Sequence, residues 1–395
     1  MTSRSRAAVL VALGVAAGCG GTDAGTVSAV SIHATGPNVL PLSVNGAHCS
    51  PSSYPNKPCT SVTVCVPGTS TCQTIDDILV DTGSSGLRLF RQALTVQLPP
   101  ASVASGALAE CAQWGDSSSD WGPVELASVV LGGEPAVQVP IHVIDRSFGT
   151  APSTCGTPEA DPASAGFNGI LGVGFFAEDC GSGCALDSSN DVYYACTGAT
   201  CSGTAVQLAG QVQNPVSLLA QDGNGVVVVL PPVPVGGTAS VEGQLLLGIA
   251  TRSNNVPGKV STYSLDASGY FTTTFAGSSY HAYADTGSNG YFFPPPTGLP
   301  ACASPNDAWF CPASTLTFSA TNSDAAGATS GAYSFRVANF DSFANSSYYV
   351  SAEIAGSAPP AAGFDWGLPF HFGRPVFVGI EGKRSPLGVG PLVAY

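Results

Sequence analysis

Charged side chains are scarce in this chain: 10% of 395 residues, with 12 basic against 26 acidic. Helical bundles need charged solvent faces, so the shortage argues against them as the main architecture. The formal net charge of −14 argues against a nucleic-acid partner and against an electrostatic hold on anionic lipid. The five histidines are scattered, and no Ser-His-Asp order with a nucleophile elbow occurs. There is no phosphate loop and no dinucleotide fingerprint. Beyond the N-terminal apolar run, no segment is long and apolar enough to cross a bilayer.

Glycine (48) and proline (31) are plentiful, which favours turn-rich β structure, and an apolar content of 44% argues against disorder. The length suffices for two lobes with their own cores. Of 13 cysteines, Cys19 stands apart and the rest form an even set. With a secretory leader they imply up to six disulfides in an oxidising compartment. Cys49 and Cys59 bracket a loop, Cys65 and Cys72 flank a turn, and Cys302 and Cys311 close another loop. A zinc site at Cys180, Cys184, Cys196 and Cys201 is the lesser alternative, because no histidine intervenes.

Arg4 and Arg6 precede an apolar run from Ala7 to Ala17, the pattern of a signal-peptide core over residues 1–18. Ala16-Ala17-Gly18-Cys19 resembles a bacterial lipobox, which implies lipidation of Cys19 and a small-residue tether over 19–35. Gly20 stands where inner-membrane retention usually places aspartate, so the outer membrane is expected. Ordinary cleavage, giving a secreted protein, is the alternative.

Two short stretches carry the chemistry. Asp81-Thr82-Gly83-Ser84-Ser85-Gly86 follows the apolar run Ile78-Leu79-Val80, and Asp285-Thr286-Gly287-Ser288-Asn289-Gly290 follows Tyr283-Ala284. Each is an acid, a hydroxyl, a glycine and another hydroxyl at the end of a strand. Two carboxylates about 3 Å apart share one proton, so that one takes a proton from water while the other hydrogen-bonds a carbonyl. Glycine lets backbone N–H groups approach the carboxylates, and the hydroxyls orient them.

Both stretches resemble the Asp-Thr-Gly signatures of pepsin-like aspartic peptidases. The resemblance implies a mainly β, bilobal fold with two pseudo-symmetric β-barrel-like lobes and a central cleft. Residues 36–225 would form the N-terminal lobe and 226–395 the C-terminal lobe. Asp81 and Asp285 would be the catalytic pair, supported by Thr82, Gly83, Ser84, Thr286, Gly287 and Ser288. A flap hairpin would place Trp114, Gly115 and Asp116 over the substrate, with Trp114 in place of the usual tyrosine. The tryptophan that normally supports that tyrosine is replaced by Arg88, so the support is rebuilt. The chain is also similar to a bacterial group of Cys-rich lipoproteins of unknown function.

Ser61–Val66, Gln73–Val80, Val124–Leu131, Val226–Leu230 and Gln244–Ile249 read as strands. Asn214-Pro215 reads as the start of a short helix ending near Gly223. Gly172 and Gly367 stand at similar offsets past the two aspartates and suit close crossing of loops. Asp365, at an apolar position of that pattern, reads as a capped loop residue rather than a further acid of the site. His281 reads as a strand-surface residue.

The expectation is an aspartic endopeptidase acting on peptide or protein substrates, monomeric, with no metal or organic cofactor implied. It would meet the membrane only through its lipid, at the cell envelope. The alternative is a non-catalytic envelope lipoprotein that binds peptide or glycan in the same cleft.

Overall fold

A computed structural model describes residues 33–51 and 53–395. The leader, Cys19 and most of the tether lie outside the described residues. Among those described the protein is mainly β, and the longest α-helices have five residues. No helix among them is long and apolar enough to cross a membrane.

Six strands close a barrel. Pro58–Cys65 pairs with Cys72–Asp81, then come Gly169–Val173, Ser85–Phe90, Val137–Ile144 and Ser119–Val130, which returns to Pro58–Cys65. Closure removes free edges, and the inward aliphatic side chains (Ile78, Val80, Leu87, Leu89, Ile141 and Leu171 among them) fill the interior. From the barrel an antiparallel sheet continues through Val39–Val44, Val241–Leu247, Gly225–Leu230, Arg374–Gly379 and Leu392–Ala394 to Thr262–Ser264. Gly225–Leu230 is buried along its whole length, which explains its unbroken valine run rather than an alternation.

A second, seven-stranded sheet curls into a half-barrel. Its interior is aromatic where the first is aliphatic. Phe275, Phe293, Phe335, Phe364 and Trp366 pack with ring centroids 4.5 to 5.9 Å apart.

One three-strand arrangement occurs twice. Cys72–Asp81 runs parallel to Gly169–Val173, which is antiparallel to Ser85–Phe90. Ser278–Ala284 runs parallel to Phe364–Trp366, which is antiparallel to Tyr291–Phe293. Each acidic turn therefore leaves the same local frame.

All twelve cysteines of the described residues are paired. Cys49–Cys59, Cys65–Cys72 and Cys302–Cys311 close the expected short loops. Cys180–Cys184 and Cys196–Cys201 are disulfides, so their sulfurs are not zinc thiolates. Cys111–Cys155 joins the long hairpin to a distant loop.

Two expectations are corrected. The helix expected from Asn214 is a single 3-10 turn, Pro215–Leu218, capped by the Asn214 side chain. It stops at Leu219, which is extended and packs into the core. Asp365 is not a loop residue. It lies within the buried strand Phe364–Trp366, paired with Tyr283.

Candidate active site

Each acidic turn orients its own carboxylate by local hydrogen bonds. In the first, Gly83 N–H donates to Asp81 Oδ1 at 2.7 Å and Ser84 Oγ donates to Oδ2 at 2.5 Å. In the second, Gly287 N–H donates to Asp285 Oδ1 at 2.7 Å and Ser288 Oγ to Oδ2 at 2.8 Å. Each bond links residue i to i+2 or i+3, so a strand end followed by a tight turn suffices to form it.

The two turns grip each other. Thr82 N–H donates to Thr286 Oγ1 at 3.1 Å, and Thr286 N–H donates to Thr82 Oγ1 at 3.0 Å. The same hydroxyls donate across to Ala284 O (3.0 Å) and Val80 O (2.7 Å). Both threonines are fully buried, so these four bonds form away from water.

The glycines show how close the carboxyl groups come. A Cβ placed on Gly83 would lie 2.7 Å from Asp285 Oδ1. One placed on Gly287 would lie 2.7 Å from Asp81 Oδ1 and 3.1 Å from Asp285 Oδ1. The two carboxyl groups thus face one small space between the turns, and any side chain at either glycine would intrude. Gly172 and Gly367 are excluded from substitution by the backbone crossings behind the turns. A Cβ at Gly172 would sit 2.8 Å from Ser84 Oγ, and one at Gly367 2.0 Å from Gly290 O.

Loss of solvent, the Asp81 charge and then the Asp365 charge hold the Asp285 carboxyl well above the usual carboxylate range. A pair that cannot ionise twice keeps one proton, and its titration belongs to both members.

Other groups surround the pair. Tyr54 Oη lies 3.4 Å from Gly287 O. Burial, then Asp285, Asp116 and Asp81, push the Tyr54 phenol upward, so the hairpin tip carrying Asp116 and the acid pair face the same ring. That tip, residues 114–118, joins Gly106–Gln113 to Ser119–Val130. Gly115 and Asp116 are exposed there, and Asp116 accepts from Ser118. The half-buried Trp114 indole donates to Asp120 Oδ2 at 2.9 Å, and the Arg88 guanidinium lies 5.3 Å from its ring centroid.

Arg88 is itself buried. It bonds Ser85 O, Glu110 and Asp179 at 2.8, 2.7 and 3.2 Å. Glu110 is pushed up by burial but pulled further down by Arg88 and then His142, so it stays ionised. Tyr193 donates to Asp179 at 2.6 Å. The sequence marks Arg88 as a departure from the usual pattern. Glu110, Asp179 and His142 carry no local signal, since the cation they surround, Arg88, is remote along the chain. His281 is exposed and packs on Tyr270 at 4.7 Å.

The cysteine-acid groupings Cys49, Cys59, Asp77 and Cys302, Cys311, Asp341 are compact, but their sulfurs are in disulfides and supply no thiolate.

A family described as a protein of unknown function, DUF3443, matches residues 34–395. The chain belongs to this family. None of the curated proteins matches it. The DUF3443 match takes in both acidic turns, the hairpin and the C-terminal strands, so the site is part of the family's domain rather than an addition to it.

Proposed function

We propose that this DUF3443 protein is an aspartic-type peptide hydrolase with a bilobal, pepsin-like architecture. The observation that carries the reading is the convergence of Asp81 and Asp285 across reciprocally hydrogen-bonded turns. A binding protein has no use for two like charges in one small space, whereas a water-activating pair needs them. The twice-used three-strand frame supports a duplicated lobe, with the division near residue 225.

In this reading Asp285, held well above the usual carboxylate range, carries the shared proton of the pair. Asp81 accepts a proton from a water lying between them as its oxygen attacks the peptide carbonyl carbon. Asp285 gives its proton to the carbonyl oxygen, so the tetrahedral diol is neutral. Collapse returns a hydroxyl proton to Asp285, while Asp81 passes its proton to the amide nitrogen as the C–N bond breaks. Both carboxyls end as they began. The hairpin around Trp114 covers the bound peptide and excludes water. Six disulfides suit an oxidising compartment such as the cell envelope.

The test uses purified protein and unfolded casein from pH 3 to 7, with and without pepstatin, beside Asp81→Asn and Asp285→Asn. Cleavage lost in both variants and blocked by the inhibitor is the expected result. Cleavage that survives both substitutions removes the mechanism, and no cleavage at any pH favours a binding protein.

A further inference from the structure

The two acidic turns share Asp-Thr-Gly-Ser and the same strand frame, but at one buried place only the second frame carries a carboxyl. In the first frame the register is Leu79 with Ile170, Val80 with Leu171 and Asp81 with Gly172. In the second it is Tyr283 with Asp365 and Ala284 with Trp366, followed by Gly367. Ile170 and Asp365 are therefore equivalent, each two residues before the crossing glycine. Ile170 is 4% exposed and Asp365 is 5% exposed. One copy has the apolar residue that a buried strand calls for, and the other has a carboxyl.

Burying an unpaired carboxylate costs several kcal/mol, so such a group is neutral or has a partner. No ion pair among the described residues includes Asp365. Its Oδ1 has no hydrogen-bond partner among them either. What it meets is the Ser288 hydroxyl, which also donates to Asp285 Oδ2 at 2.8 Å. Its other titratable neighbours are Tyr283 on the adjacent strand, Asp285 on the second turn and Asp81 on the first. Tyr291–Phe293, on its far side, presents Phe292 in register and adds no charge.

We infer that Asp365 is a third acid of the site, a positioning residue that acts on Asp285 through the Ser288 hydroxyl. While neutral, its O–H donates to Ser288 Oγ and fixes that hydroxyl as a donor to Asp285, since each donor in a chain sets the direction of the next. Burial first, against the opposing pull of the Ser288 hydroxyl and with the Asp81 charge, holds Asp365 well above the ordinary carboxylate range. Once it ionises, it competes with Asp285 for the single Ser288 O–H, and this loss of a donor together with its charge opposes ionisation of Asp285. The pair then keeps its single proton to higher pH than it would with a neutral residue at 365. The apolar equivalent in the first turn leaves Asp81 without such a device, so the proton is biased toward Asp285. This inference rests on the paired-carboxyl site and not on hydrolysis having been observed.

The test is a carboxyl-carbon NMR titration of full-length protein labelled at aspartate, with Asp285 assigned by the loss of its signal in Asp285→Asn. In Asp365→Asn and Asp365→Ile the Asp285 midpoint falls by about one unit, because the like charge and the competitor for the Ser288 hydroxyl are both lost. In a Ser288→Ala background the fall caused by Asp365→Asn is at most half as large. An Asp285 midpoint unmoved by Asp365→Asn overturns the proposal, as does an undiminished effect in the Ser288→Ala background. If Asp365→Ile does not fold, the near-isosteric Asn variant decides alone. Should the protein cleave peptides, the upper limb of its pH–rate profile moves down with the Asp285 midpoint. A protein inactive on peptides that still shows the titration shift removes the hydrolase reading and leaves this one standing.

Discussion

Replacing Thr82 by valine tests the grip between the two turns most directly. Valine matches threonine in shape, so little cavity or clash arises, and the change removes one hydroxyl. That hydroxyl accepts from Thr286 N–H at 3.0 Å and donates to Ala284 O at 3.0 Å, with both threonines fully buried. Each buried polar group left without its partner costs about 1–3 kcal/mol, so the two together cost about 2–6 kcal/mol before relaxation. We expect about 3 kcal/mol after relaxation, at the upper end of ordinary point-mutant effects. Thr286→Val loses the equivalent bonds to Thr82 N–H and Val80 O and has a similar cost. Once one turn has drifted, the other's bonds are already weakened, so the double variant costs less than the sum by about 1 kcal/mol or more. Urea unfolding followed by near-UV circular dichroism reads these differences from the midpoints, provided the m value stays constant. Single variants costing under about 0.5 kcal/mol, the range of ordinary surface substitutions, would refute the claim that these bonds are dry and structural. Strict additivity would refute the claim that the turns act as one unit.

Arg88→Met leaves Glu110 and Asp179 buried without their cation and costs about 3–5 kcal/mol at pH 7, measured by urea unfolding. The cost shrinks at pH 4, where the stranded carboxyls take up protons; an equal or larger cost there would contradict the ion-pair account. Asp120 is pushed up to about 7, by burial first and against the opposing pull of the Trp114 indole, from an ordinary 3.8. The folded state then binds the extra proton between those values, so this stabilising contribution is full below pH 3.8 and is lost as pH rises through 7. Relative to Asp120→Asn, the wild type should lose up to about 4 kcal/mol between pH 3.8 and 8, and a flat difference in thermal unfolding would refute this. Removing Cys111–Cys155, which spans 44 residues, should cost about 4 kcal/mol on the chain-entropy account. Removing Cys180–Cys184, which spans 4, should cost about 2 kcal/mol, and a reversed order of unfolding midpoints would discount loop length as the cause.

The parts legible in the linear chain are those whose physics is local. A strand end, an acid and a hydroxyl three residues on make a self-contained turn, so both Asp-Thr-Gly-Ser stretches stand out without knowledge of what lies opposite. The same holds for Cys65 and Cys72, which share one hairpin and meet in register. Local pattern misled at Asn214-Pro215, where the cap is present but Leu219 is extended and packs into the core.

Only the tertiary structure could decide which groups share a low-dielectric space. Asp365 looks like a loop acid because carboxyls avoid buried strands, and its burial comes from strands supplied by distant parts of the chain. Arg88 finds Glu110, Asp179 and Trp114 only when the hairpin folds back over the barrel. Residue order and turn chemistry thus settled where each carboxyl would stand on its own strand. Packing settled that the two would meet, because proximity and loss of water belong to the assembled fold.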